Sequence, residues 1–153
     1  MTTIALYRGK SKKTGKWCYG SYLKLDKTTY CFAEDYAAHP DNTEHFIVCD
    51  EMTDWGLPNK HTMIEVSPDT ICRCTGLVDK YGNSIFEHDY VRTIFGRICE
   101  VVWFSSPQHC GWDLFPIANL KCAAPAERSM WSSEWLTILG NKFDNLELME
   151  DGK

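Results

Sequence analysis

An all-β fold is what this sequence predicts, and three observations lead to it. Short runs rich in β-branched and aromatic residues recur along the chain, parted by clusters of Gly, Pro, Asn and Asp. No stretch of about 12 residues or more carries the 3.6-residue apolar period of an amphipathic helix. The composition, 44% hydrophobic and 24% charged over 153 residues, fits one ordinary domain or two very small ones and excludes wholesale disorder. The only helical expectation is a short helix over residues 126–133, just after Pro125.

The first half reads as strands in order. Ile4-Ala-Leu-Tyr opens the series, and Arg8-Gly-Lys-Ser-Lys-Lys-Thr-Gly-Lys is a polar hairpin tip leading into a strand over 17–25. Residues 29–32 and 46–49 are two further apolar runs, with Ala38-His-Pro-Asp-Asn-Thr as a turn between them. Met63-Ile-Glu-Val and residues 70–75 follow, separated by the turn Ser67-Pro-Asp.

Turn chemistry punctuates the second half more sharply. Asp79-Lys-Tyr-Gly-Asn is a tight turn, with Gly82 free to take positive φ, and its arms are Gly76-Leu-Val and Ser84-Ile-Phe. A hairpin follows, from Val91-Arg-Thr-Ile-Phe through Gly96-Arg97 to Ile98-Cys-Glu-Val-Val-Trp-Phe. The strand Trp112-Asp-Leu-Phe comes next, then a last strand over 134–139 and a tail. Short strands at such regular spacing describe a small SH3-like barrel. The expected organisation is an N-terminal β subdomain over 1–75 and an SH3-like subdomain with a C-terminal tail over 76–153.

Charge and cysteine usage narrow the function classes. The net charge of −5 argues against a dedicated duplex-DNA binder. No apolar run reaches the roughly 18 residues of a membrane span. The opening Met1-Thr-Thr-Ile-Ala-Leu-Tyr-Arg lacks the grammar of a secretory leader, so the expected setting is a cytoplasm. The eight cysteines contain no CxxC pair, and most lie in apolar or aromatic runs. They read as free, small hydrophobes in a reducing compartment rather than as a disulfide framework or a zinc site. Charge is also segregated. Arg8, Lys10, Lys12, Lys13, Lys16, Lys24 and Lys27 crowd residues 8–27, whereas Glu34, Asp35, Asp41, Glu44, Asp50, Glu51 and Asp54 fill 34–54. Such asymmetry can join one subunit's basic edge to a neighbour's acidic one, although a Lys-rich hairpin tip also accounts for it.

The block Thr75-Gly-Leu-Val-Asp-Lys-Tyr-Gly-Asn-Ser-Ile-Phe-Glu-His-Asp-Tyr-Val is similar to the hallmark of the YopX family, small proteins of bacteriophages and prophages. Three flanking features agree in order: Lys16-Trp-Cys-Tyr-Gly, Val66-Ser-Pro-Asp-Thr-Ile, and Ile138-Leu-Gly-Asn-Lys-Phe-Asp-Asn-Leu-Glu-Leu. The resemblance implies a two-part β structure with an SH3-like second half, self-assembly into oligomers, and a phage or prophage origin. It carries no established activity. Two residues depart from the pattern: His88 stands where the family has Gly, and Leu146 where it has Pro. A left-handed backbone at position 88 would tolerate His better than most residues.

The candidate residues are weighed accordingly. Gly76, Asp79, Gly82 and Asp89 read as a structural turn signature. Within Glu87-His88-Asp89 the faces alternate, so at most Glu87 and Asp89 converge for acid–base or metal chemistry. His39 and His45, with Asp41 and Glu44, suggest a metal only weakly against the reading of an acidic loop. His109-Cys110 lacks a third, orienting group for a nucleophile. Trp17, Trp103, Trp112 and Trp135 sit in apolar runs and read as core, leaving Trp55 and Trp131 as the exposed tryptophans. The expectation is a non-enzymatic protein without metal or cofactor that acts by binding and self-assembles, in the cytoplasm of a bacterial host and away from membranes. The alternative is a protein that associates with single-stranded nucleic acid through Lys10, Lys12, Lys13, Lys16, Trp55 and Trp131.

Overall fold

The computed structural model describes residues 6–108, 110–117 and 135–149. The helix expected over 126–133 lies outside the described residues, as do Trp131, His109 and Cys122. What is described is mostly β, with a single short α-helix, and the chain divides into two compact units, Met1–Ile71 and Cys72–Lys153.

In the first unit β1 (Tyr7–Lys10), β2 (Trp17–Asp26), β3 (Thr43–Glu51) and β4 (Lys60–Glu65) form antiparallel pairs in chain order. The polar tip after β1 does more than turn the chain. Ser11 bridges Val66, the Lys12 amide donates to the Glu65 carbonyl, and the Ser67 amide donates to the Lys10 carbonyl. The two outer strands of the four therefore meet at one corner. Two glycines make this closeness possible. A Cβ on Gly9 would press on the side chain of Val66, and one on Gly20 would fall on the Val48 carbonyl oxygen. The unit's fully buried apolar side chains are Ile47 and Val66.

The strand expected over 29–32 is not formed. This stretch bends instead into α1 (Ala33–Ala38), which had no counterpart in the sequence reading. The aromatic residue that suggested a strand packs on the helix. Tyr30 meets Tyr36 edge-on at 5.2 Å between ring centres and stacks on His39 at 5.1 Å, and its amide donates to the Tyr36 hydroxyl. Asn42 then closes the base of the excursion. Its side chain accepts from the Thr28 amide and donates to the Thr28 carbonyl, and its own carbonyl accepts from the Lys27 amide.

In the second unit β5 (Cys72–Val78) pairs with β6 (Ser84–Phe86), and β7 (Asp89–Arg92), β8 (Ile98–Ser105), β9 (Cys110–Pro116) and β10 (Thr137–Asn141) form an antiparallel sheet ordered β10-β7-β8-β9. Ile85, Val91, Cys99, Val101, Leu114 and Leu136 make its buried cluster. The strand expected over 91–95 stops at Arg92. Gly96 takes φ 79°, and the turn closes between Thr93 and Arg97, which leaves Ile94 and Phe95 at its tip.

Two tryptophans expected in the core are not enclosed. Trp103 is 40% exposed and Trp135 is 45% exposed. Trp103 stands in the same row of β8 as Cys99 and Val101, but beyond the end of the buried cluster. There it meets its cross-strand partner Trp112 edge-on at 5.1 Å, with the Arg73 guanidinium over both rings. At β10 the neighbouring Leu136 is buried in place of Trp135.

Candidate functional site

The hallmark block folds as two linked turns. Gly76 and Gly82 have φ of 80° and 85°, a region other residues enter at a cost. Asp79 is buried at the first turn, where its carboxylate accepts the amides of Tyr81 and Asn83 and, more distantly, that of Ile138 on β10. Burial works to raise this carboxyl, but the amide donors outweigh it and hold it below its ordinary range. At the second turn Asp89, also buried, accepts the Phe86 amide at 2.8 Å.

Between them, Glu87-His88-Asp89 does not converge. Glu87 takes the Arg73 guanidinium through two hydrogen bonds of 3.2 and 3.3 Å, Asp89 turns to the backbone, and His88 points elsewhere. His88 has φ 64°, the one positive value at a non-glycine among the described residues. Its backbone is fixed from both sides, the amide donating to the Val101 carbonyl and the carbonyl accepting from Lys142. Its ring nitrogen Nδ1 donates to the buried Glu100 at 2.6 Å.

Glu100 is the centre of a polar group that sequence reasoning missed. Lys142 lies 3.6 Å away, and Tyr90 is the cross-strand partner of Glu100. Burial works to raise the Glu100 carboxyl, yet the His88 hydrogen bond and the Lys142 charge hold it below its ordinary value. Burial and the Glu100 charge together push the Tyr90 phenol up. The Tyr90 hydroxyl is buried without a hydrogen-bond partner among the described residues. Such a group holds an ionised carboxylate in place inside the fold. The pairing rests on the β7–β8 register, so no local motif announces it.

The basic tip is partly spent on the fold. Lys12 pairs with Glu65, and Lys10 and Arg8 lie over the Trp17 ring at 5.3 and 4.6 Å. The side chains of Lys13 and Lys16 make no ion pair or ring contact among the described residues. Beside the tip lies a cavity of about 650 Å³, with Lys12, Lys13, Cys18, Met63, Ile64 and Glu65 among its lining residues. Thr62 also lines it, but its hydroxyl is buried beneath the surface, with no hydrogen-bond partner among the described residues. Burial, then the neighbouring Cys49, pushes the Cys18 thiol up.

The histidines weighed as ligands are engaged separately. His39 Nδ1 donates to the Asp35 carbonyl, and His45 Nδ1 shares a hydrogen bond of 2.7 Å with the Tyr22 hydroxyl. Among the described residues no three His, Cys, Asp or Glu side chains are grouped to hold a metal. The described cysteines are free thiols.

Three of the four most exposed aromatics among the described residues share a local pattern. Trp55, Tyr81 and Phe95 are 89%, 69% and 65% exposed, and each directly precedes a glycine of positive φ, Gly56, Gly82 or Gly96, whereas Phe32, at 68%, precedes α1. A left-handed glycine closes the turn and throws the preceding side chain outward. Trp55 was expected to be exposed. The recurrence of aromatic-glycine at three turns is the signal that would have found the other two.

No curated protein matches the sequence. The family model described as YopX protein matches residues 6–150, nearly the whole length that carries the turns, the His88 corner and the basic tip, and the chain belongs to the YopX family.

Proposed function

We propose that this protein is a non-catalytic accessory protein of a phage or prophage, working in the cytoplasm of the bacterial host, which self-assembles and acts by binding. Its second unit, in this reading, is of the SH3-like type. The observation that carries the proposal is the set of bare aromatic turns at Trp55, Tyr81 and Phe95. Apolar rings on built, hydrogen-bonded turns are costly to leave in water and are common where one surface receives another. Asp79, Glu87, His88 and Asp89 of the hallmark block support the same reading, since each is committed to a neighbour within the fold. No described helix is long and apolar enough to cross a membrane.

Light scattering behind a sizing column, at low and high salt, tests the proposal. The expected result is a species larger than 17.6 kDa. A second reading, association with single-stranded nucleic acid, draws on Lys13 and Lys16 near the tip, whose side chains make no ion pair among the described residues. Retention on single-stranded DNA that weakens with salt, and a slope that flattens when Lys10, Lys12, Lys13 and Lys16 become Ser, would favour it.

A further inference from the structure

We propose that Trp55 of one copy inserts into the cavity beside the basic tip of a second copy, joining the two head to tail. The inference rests on the self-assembly reading and names the contact. Residues 52–59 connect β3 to β4 and form a stiff finger: the Thr53 hydroxyl donates to the Pro58 carbonyl, the Leu57 amide to the Asp54 carbonyl, and the Trp55 amide to the Asp54 carboxylate at 2.7 Å. Met52, Trp55 and Leu57 are all exposed on it. The finger's apolar end is thus preformed, and little ordering is needed to bind it.

The cavity matches the finger in three respects. Its volume, about 650 Å³, lies in the range that receives a ligand the size of an indole with its neighbours. Its lining includes the apolar Met63 and Ile64. Charge completes the match, because Asp50, Glu51 and Asp54 lie on or beside the finger while Lys13, next to the Lys12–Glu65 pair, brings an uncompensated positive charge to the cavity.

Trp55 is almost fully exposed in its own chain, so the cavity is not occupied from within. The finger precedes the first residue of β4 and the cavity lies along its later ones, so each copy offers one of each on different patches. A contact of this kind is heterologous, and it closes into a ring or extends into a filament according to the rotation between copies.

Two surface variants test the contact: Trp55→Ala, which removes the plug, and Lys13→Glu with Met63→Glu, which spoils the socket. Both sites are exposed, and a cooperative thermal transition checks that each variant folds. Each variant alone should assemble at least tenfold more weakly than the native chain in concentration-dependent light scattering. An equimolar mixture should form dimers and nothing larger, because one intact plug meets one intact socket. Native-like assembly of Trp55→Ala, or a mixture that stays monomeric, overturns the contact while leaving self-assembly standing. A native chain that is a monomer at every concentration overturns the self-assembly reading and this one with it.

Discussion

Residues 79–83 and 52–59 make two turns of the same local type with different attachments. Each has an exposed aromatic followed by a left-handed glycine, and in each an Asp one or two residues before that aromatic bonds a nearby amide through its carboxylate. The Asp79 turn is fastened to β10. Its carboxylate reaches the Ile138 amide, and the Lys80 amide donates to the Leu136 carbonyl. The Trp55 finger is fastened to itself and to the adjoining ends of β3 and β4, as in the Asn59 hydrogen bond to Asp50. The same turn grammar thus serves stability at one site and presents a surface at the other. What distinguishes them is burial of the aspartate, not the turn.

The largest effect should come from Asp79→Ala, which orphans several buried donors and should cost about 3 kcal/mol in chemical denaturation. Asp54→Ala should stay within about 0.5 kcal/mol. Equal losses at the two positions would erase the distinction. The same carboxylate gives a pH signature. Asp79 and Glu100 have folded pKa values lowered from their ordinary ones, so their stabilisation is present above the ordinary carboxylate range and is lost as pH falls through the lowered values. The acid limb of the stability profile should therefore be shallower in Asp79→Asn than in the native protein, and unchanged in Asp54→Asn.

Next in size, Gly82→Val should cost about 2 kcal/mol, because a β-branched residue fits φ of 85° poorly although open space surrounds the site. Gly56→Val should cost about half as much, since the finger can relax without disturbing another strand. A loss at Gly56 equal to that at Gly82 would mean that the finger is as firmly anchored as the buried turn. The smallest change is expected at Tyr90. Removing its unpaired buried hydroxyl in Tyr90→Phe should be neutral or raise stability by up to about 1 kcal/mol, read as a rise in Tm. A clear loss would reveal a partner for that hydroxyl.

The turns were legible from sequence because glycine spacing and Asp side chains act within a few residues. Face alternation was legible as well, but it does not say where along a row the cover ends, which is why Trp103 was expected in the core. The 29–32 stretch failed for another reason. Its aromatic residue suits a strand, yet six residues of helix, Ala33–Ala38, offered that ring a surface, and so short a helix carries no readable period. The Glu100 group and the unpaired Thr62 hydroxyl depend on cross-strand register, which one sequence does not display. Trp55 was visible because no apolar run surrounds it, whereas the socket proposed for it exists only after distant segments meet.

That last dependence has a consequence for the order of events during synthesis. The socket's walls come from the tip after β1 and from β4, and Lys12 and Glu65 are 53 residues apart in sequence. A chain emerging from the ribosome carries the basic tip early and the Trp55 finger somewhat later, but it has no socket until β4 has emerged and docked. Loop closure over such a separation comes late in folding. In the proposed contact, nascent chains can therefore offer plugs to finished molecules but cannot receive them, and lengthening of an assembly at its plug end is reserved for chains whose first unit is already complete.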